Sequence, residues 1–211
     1  MDHPDIEQAV RYVLARLQRE LPPQRVYHNV AHTRNEVVPA AERLAALEGI
    51  EGEALLLLRT AAWFHDLGFI RQGAGHEAIG AGMAAQALPA FGYRPEQIAA
   101  IQGMIMATRL PQTPCTLLEQ IIADADLDLL GCDEFIERNY DLRREMAAYG
   151  QVMADEAWYT GQLDFLRSHQ YFTASANALR AEGKKRNARW LGEMLAGLRA
   201  NSTTQSNEEQ L

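Results

Sequence analysis

Cysteine is scarce in this chain: Cys115 and Cys132 are the only two among 211 residues. Two thiols make no disulfide framework, and reduced side chains in a cytoplasmic protein are the expected state. No stretch approaches the roughly 18 uninterrupted apolar residues of a membrane span, so a membrane partner is not expected. The opening Met1-Asp2-His3-Pro4-Asp5 is acidic and lacks the basic-then-apolar pattern of a signal peptide. Positive charge is in deficit, with 20 Lys and Arg against 28 Asp and Glu and a net charge of −8. Long nucleic acid is therefore a poor partner, because binding it depends on neutralising many phosphates. A small phosphorylated ligand stays open, since a metal ion supplies positive charge locally whatever the net balance. Strand-like alternation between turn signals is also missing, as are internal repeats and linker-like segments, which leaves an all-α single domain.

What is present reads as helix after helix, with a hydrophobic content of 47% to build a core. Asp5 to Leu21 carries Ile6, Val10, Val13, Leu14 and Leu17 at helical spacing and is stopped by Pro22-Pro23. A second helix is expected from about Asn29, its cap, to Glu48, with Gly49 as its end and Pro39 able to kink it. The third is the apolar run from Ala54 to Phe64 that ends at His65-Asp66 and is closed by Gly68. His76 to Leu88 makes a fourth, Pro95 to Thr108 a fifth opened by its proline, and Thr116 to Leu130 a sixth ended by Gly131. Asp133 to Tyr149, Ala154 to Arg167 and Ser175 to Ala200 complete the set. The domain is thus expected over residues 1–200, with 201–211 a disordered polar tail.

His65-Asp66 closes a helix that is apolar on nearly every side, so both groups should leave water, at a cost of several kcal/mol without partners. A divalent metal ion would offset that cost. Asp126 is a second acid out of place. At roughly 100° per residue it shares a face with Ile122, Leu129 and Leu130, while Asp124 and Asp128 point the other way as solvated carboxylates. His32, near the start of the second helix, adds another imidazole. Two imidazoles and two carboxylates form a mixed set suited to Mn, Fe, Ni, Mg or Zn, and an octahedral ion would keep about two positions for water and a substrate oxygen.

His32, His65-Asp66 and Asp126, in this order and on helices, resemble the pattern of the HD-domain superfamily of metal-dependent phosphohydrolases. The likeness extends to Tyr27-His28-Asn29-Val30-Ala31-His32-Thr33, Phe64-His65-Asp66-Leu67-Gly68-Phe69, Gly75-His76-Glu77, Ala107-Thr108-Arg109-Leu110-Pro111 and the stretch Asp124–Gly131. Together these resemble a bacterial branch of predicted HD phosphohydrolases over about residues 5 to 200. The resemblance implies a helical bundle of roughly eight to nine helices and a metal held by His32, His65, Asp66 and Asp126. It implies attack by water on a phosphomonoester or phosphodiester of a small substrate, a nucleotide among the candidates. One ion is expected; His76 occupies a position where some members hold a second metal or contact phosphate.

Around that core, Asp66, His76 and His28 are assigned to catalysis, and Arg109, His28 and Glu77 to the substrate. Members that use a glutamate three residues after the His-Asp pair are not matched, because Phe69 stands there; this counts against a deoxynucleotide 5′-phosphatase. Lys184, Lys185, Arg186 and Arg189 read as a solvated basic face, Trp158, Tyr159 and His169 as packing residues, and His3 as exposed and inert. Two other functions share such a scaffold: an iron-dependent HD-like oxygenase, and a non-catalytic nucleotide-sensing module.

Overall fold

The computed structural model describes residues 4–208, with side chains as far as residue 201; His3 and residues 209–211 lie outside the described residues. Among the described residues every regular element is helical. Nine α-helices run α1 Ile6–Glu20, α2 Val38–Leu47, α3 Gly52–Phe64, α4 His76–Ala87, α5 Pro95–Ala107, α6 Leu117–Asp126, α7 Phe135–Ala148, α8 Asp155–Ser168 and α9 Ala174–Glu208. Each helix expected from periodicity has a counterpart, seven of them close to the expected span. Helix α9 continues to Glu208, past the residue-200 boundary expected from composition.

Several starts follow from local chemistry. Asp5 accepts the Gln8 N–H to cap α1, and Thr116 with Glu119 closes a reciprocal capping box on α6. Two expected helices are broken. The second opens into a π-helical turn over His32–Val37 before α2. Pro39 has no N–H to give and its ring crowds the Asn35 carbonyl, so the chain ahead of it winds wide. The sixth ends at Asp126, and a 3₁₀ turn, Asp128–Gly131, follows it.

The core has two parts. The larger gathers the apolar faces of α1 to α6, with Leu44, Leu58, Phe64, Ile101 and Ile121 fully buried. A smaller cluster joins α7, α8 and α9 around Trp158, with Phe135, Leu166 and Leu191. Helix α3 lies inside the larger part, against α1, α2, α5 and α6, which explains a sequence apolar on nearly every side. At its end the 3₁₀ turn Leu67–Ile70 passes so close to α4 that a Cβ on Gly68 would meet the His76 carbonyl oxygen at 2.0 Å. Glycine at 68 therefore fixes how far His76 stands from His65-Asp66. A second close pass, between Gly183 of α9 and the Gly131 carbonyl oxygen, would put a Cβ at 1.9 Å and seats α9 on the turn after Asp126.

Candidate metal centre

Three segments bring ligand-type atoms to one point. His32 comes from the π-helical turn, held there because the Asn29 side chain accepts from the Ala31 and His32 N–H groups. His65 and Asp66 come from the end of α3 and Asp126 from the end of α6. One donor atom each of His32, His65 and Asp66 lies within 4.8 Å of the other two. Asp126 Oδ1 stands 3.6 Å from His32 Nε2 and 3.5 Å from His65 Nε2, facing the same point. His65 is fully buried, and His32 and Asp66 nearly so.

Each imidazole is turned by its other nitrogen. His32 Nδ1 donates to Glu36 at 2.7 Å, and Glu36 is itself held by Arg138 at 2.8 Å. His65 Nδ1 donates to the Ala62 carbonyl at 2.8 Å, and His76 Nδ1 to the Gly73 carbonyl at 2.9 Å. Anchoring Nδ1 fixes the tautomer that leaves Nε2 as the ligand atom, the usual second support of a metal-binding histidine.

The fit to a cation rests on atoms the protein leaves unmatched. His65 Nε2 and Asp66 Oδ2 are buried and have no hydrogen-bond partner, although only 3.3 Å separates them. Leaving such groups unmatched costs about 1–3 kcal/mol each; a divalent ion among the three residues would satisfy both. Electrostatics point the same way. Burial works against charge on His32, yet the carboxylates of Asp126 and Glu36 overcome it and raise the imidazole to about 9. Burial would push Asp126 up, but His32 and His65 hold it at about 2. Asp66 also stays well below the ordinary carboxylate range, against burial, because of His65 beside it. A negative field that keeps protons on buried imidazoles also draws a divalent cation. Imidazole nitrogen with carboxylate oxygen is a donor set for Mn, Fe, Ni, Zn or Mg.

The cluster opens onto a cavity of about 490 Å³. His28, His76, Glu77 and Arg109 all line it, so every residue singled out for catalysis or substrate reaches this space. His76 Nε2 is 3.4 Å from Asp66 Oδ1, and Glu77, nearly buried, lies beside the same ring. Arg109 is exposed at the rim and makes no ion pair with a described residue. The cationic residues Lys184, Lys185 and Arg186 instead meet His169, Glu182 and Asp133. His169 packs on Tyr171, and Trp158 and Tyr159 lie in the smaller core.

Asp124 and Asp128 correct the sequence reading: neither is solvated. Asp124 is fully buried and accepts the N–H groups of Phe172 and Thr173 and the Thr173 hydroxyl at the start of α9. Asp128 binds Arg43 and Arg180. Helical phasing placed both opposite Asp126, but that side is covered by α9 rather than water.

Other residues carried no signal in the sequence. Glu145 of α7, almost fully buried, accepts from Arg25, from the backbone N–H groups of Tyr27 and His28, and from His28 Nδ1 at 2.6 Å. It thereby ties down the loop that leads into His32. Phe69 lies between the rings of His28 and His76, at 4.3 and 3.8 Å, with the Arg25 guanidinium 4.4 Å from its centre. Glu36, by contrast, was findable: it stands four residues after His32, one turn away.

Residues 27–128 match the HD domain family. Comparison with curated proteins returned no match. Among solved structures, a predicted HD superfamily hydrolase from an uncultured Thermotogales bacterium is 19% identical, with 94% of this chain and 93% of that one covered and a TM-score of 0.60. A protein from Lactobacillus plantarum is 20% identical over 95% of this chain and 100% of its own, with a TM-score of 0.68. Both share the fold across nearly the whole length. Residues 27–128 match the HD domain and His32, His65 and Asp66 converge on one buried point within that stretch, so this part of the chain is an HD domain with the His/His/Asp triad of a metal-dependent hydrolase.

Proposed function

We propose that the protein hydrolyses a phosphomonoester or phosphodiester of a small substrate, nucleotides being one candidate class, and that Asp126 joins His32, His65 and Asp66 as the fourth metal ligand. The observation that carries this reading is the pair of buried, unmatched atoms, His65 Nε2 and Asp66 Oδ2, in a cluster that opens on a cavity. A divalent ion held there activates water and withdraws charge from a phosphoryl oxygen. The protein's own groups do the rest. Arg109, without an ion-pair partner at the rim, faces the remaining phosphoryl oxygens. His28, with Nδ1 committed to Glu145, keeps Nε2 free to give a proton to the leaving oxygen. His76, with Nδ1 on Gly73, holds its Nε2 against Asp66 and fixes that carboxylate. Glu77 borders the same end of the cavity as a substrate contact. No described helix is long and apolar enough to cross a membrane, and the two free thiols suit a cytoplasmic location.

The test joins metal analysis of protein purified without added ions to a screen of mono-, di- and cyclic phosphates. Stoichiometric metal and turnover are expected, and Asp66→Ala should lose both. An Asp66→Ala protein with full metal and full activity overturns the assignment. So does a wild-type protein that holds metal and hydrolyses nothing on the panel.

A further inference from the structure

The cavity is two-faced. One part of its lining is the metal cluster; another is apolar, Leu127, Leu129, Leu130, Phe135, Leu142 and Phe165, drawn largely from the smaller core. Arg109 is the only Lys or Arg among its lining residues. A nucleoside di- or triphosphate carries several negative charges, and recognising them takes several cations or a cradle of backbone N–H groups. One arginine beside a metal suits a single phosphoryl group.

Within the apolar half stand two carboxamides, Asn139 and Gln162, whose orientation the structure decides. Trp158 Nε1 can only donate, and it donates to Asn139 Oδ1 at 2.9 Å. That turns Asn139 Nδ2 outward to donate to Gln162 Oε1 at 2.5 Å. Gln162 Nε2 is then left as a donor with no partner among the described residues, on a side chain that lines the cavity. Trp158 and Asn139 are both buried, so the amide pair is locked in one sense by an indole that cannot accept. An oriented N–H in the lining of an apolar chamber selects a carbonyl-type acceptor.

We infer that the substrate is a phosphate monoester with an apolar body that ends in a hydrogen-bond acceptor, read by Gln162 Nε2. This rests on the hydrolytic reading above and narrows it, against sugar phosphates and nucleoside polyphosphates. Asn139 and Trp158 are positioning residues for Gln162.

The experiment compares matched pairs on the metal-loaded protein: 4-acetylbenzyl against 4-isopropylbenzyl phosphate, and the corresponding biphenylylmethyl phosphates, whose leaving alkoxides are nearly equal in basicity, with ribose 5-phosphate, AMP and ATP as polar comparators. For at least one pair, the acetyl ester should be preferred in kcat/KM by about fivefold, the worth of one net hydrogen bond. The polar compounds should fall below both members of that pair. In Gln162→Glu, which keeps an acceptor for Asn139, and in Gln162→Met, the preference ratio should fall toward one. Binding of the matching acetyl and isopropyl benzyl alcohols to chelated protein, followed by ligand-observed NMR, gives a readout independent of turnover. There too the acetyl member should bind tighter, and lose its advantage in both variants.

Faster turnover of ribose 5-phosphate, AMP or ATP overturns the inference while leaving hydrolysis standing. An acetyl preference that persists in both folded variants also overturns it. If no ester is cleaved but the alcohols bind with a Gln162-dependent preference, the hydrolytic reading fails and the assignment of the chamber holds. If neither turnover nor such a preference is seen, both fall.

Discussion

Glu145 is the buried charge that ties down the loop before His32, and its removal leaves Arg25 and His28 without their acceptor. Its carboxylate is 2% exposed and takes four hydrogen bonds, from the Arg25 guanidinium, two backbone N–H groups and the His28 ring. Burial would raise its pKa, but His28 and Arg25 outweigh burial and bring it from 4.5 to about 2. At about 1.4 kcal/mol per pH unit, that difference is worth about 3 kcal/mol. An independent figure comes from removing one partner of a buried ion pair, which costs about 3–5 kcal/mol because the other charge is stranded; Arg25 is only 9% exposed. The two agree, so Glu145→Ala should lose about 3–5 kcal/mol in urea denaturation near neutral pH.

The sign with pH follows from the lowered pKa. A carboxylate that ionises more easily in the folded state stabilises it fully above its unfolded value of 4.5, and that stabilisation drains away as pH falls toward about 2. The gap between wild type and Glu145→Ala should therefore be widest at neutral pH and shrink on acidification below 4.5. A variant within about 0.5 kcal/mol of wild type at neutral pH, or a gap that grows in acid, refutes the reasoning. Because the same carboxylate anchors the loop before His32, the surviving folded fraction should also bind metal less tightly.

Gly68→Ala should cost at least about 1–3 kcal/mol, since its Cβ would fall 2.0 Å from a backbone oxygen that no rotamer change can move. Its activity should drop as His76 is pushed away. Gly82→Ala, inside α4 with nothing within 4 Å, is the control and should be neutral or stabilising by about 0.5–1 kcal/mol; equal behaviour of the two in thermal melts would contradict the close contact. Chelation should lower the melting temperature, because an ion at 100 times its Kd adds about 2.7 kcal/mol and each kcal/mol is worth about 2–4 °C in a chain of this size. With His32 raised to about 9 in the metal-free protein, metal binding near pH 7.5 should release protons, seen as a calorimetric heat that varies with buffer ionisation enthalpy.

Much of the centre was legible because its signals are local. The apolar face of α3 made His65-Asp66 conspicuous, and Asn29 as a cap put His32 at the head of a helix, where it is found. Helical phasing turned Asp126 inward, where its carboxylate stands beside His32 and His65, while the same rule misjudged Asp124 and Asp128, because a helical wheel assigns faces without knowing what covers them. Glu145 was invisible for a different reason: 117 residues separate it from His28, and no local pattern marks an acid on a mostly polar helix as the one that turns inward.

The sequence by itself determined the helical class, the placing of the helices and the set of imidazoles and carboxylates that meet at the metal point. These depend on turns, caps and periodicities that act within a few residues. Only the tertiary structure decided which acids lose their water, how Phe69 lies between two histidines, and that the Trp158 indole fixes which way the Asn139 carboxamide turns. Those outcomes depend on which surfaces meet, and burial is a property of the packed partners rather than of the residue that is buried.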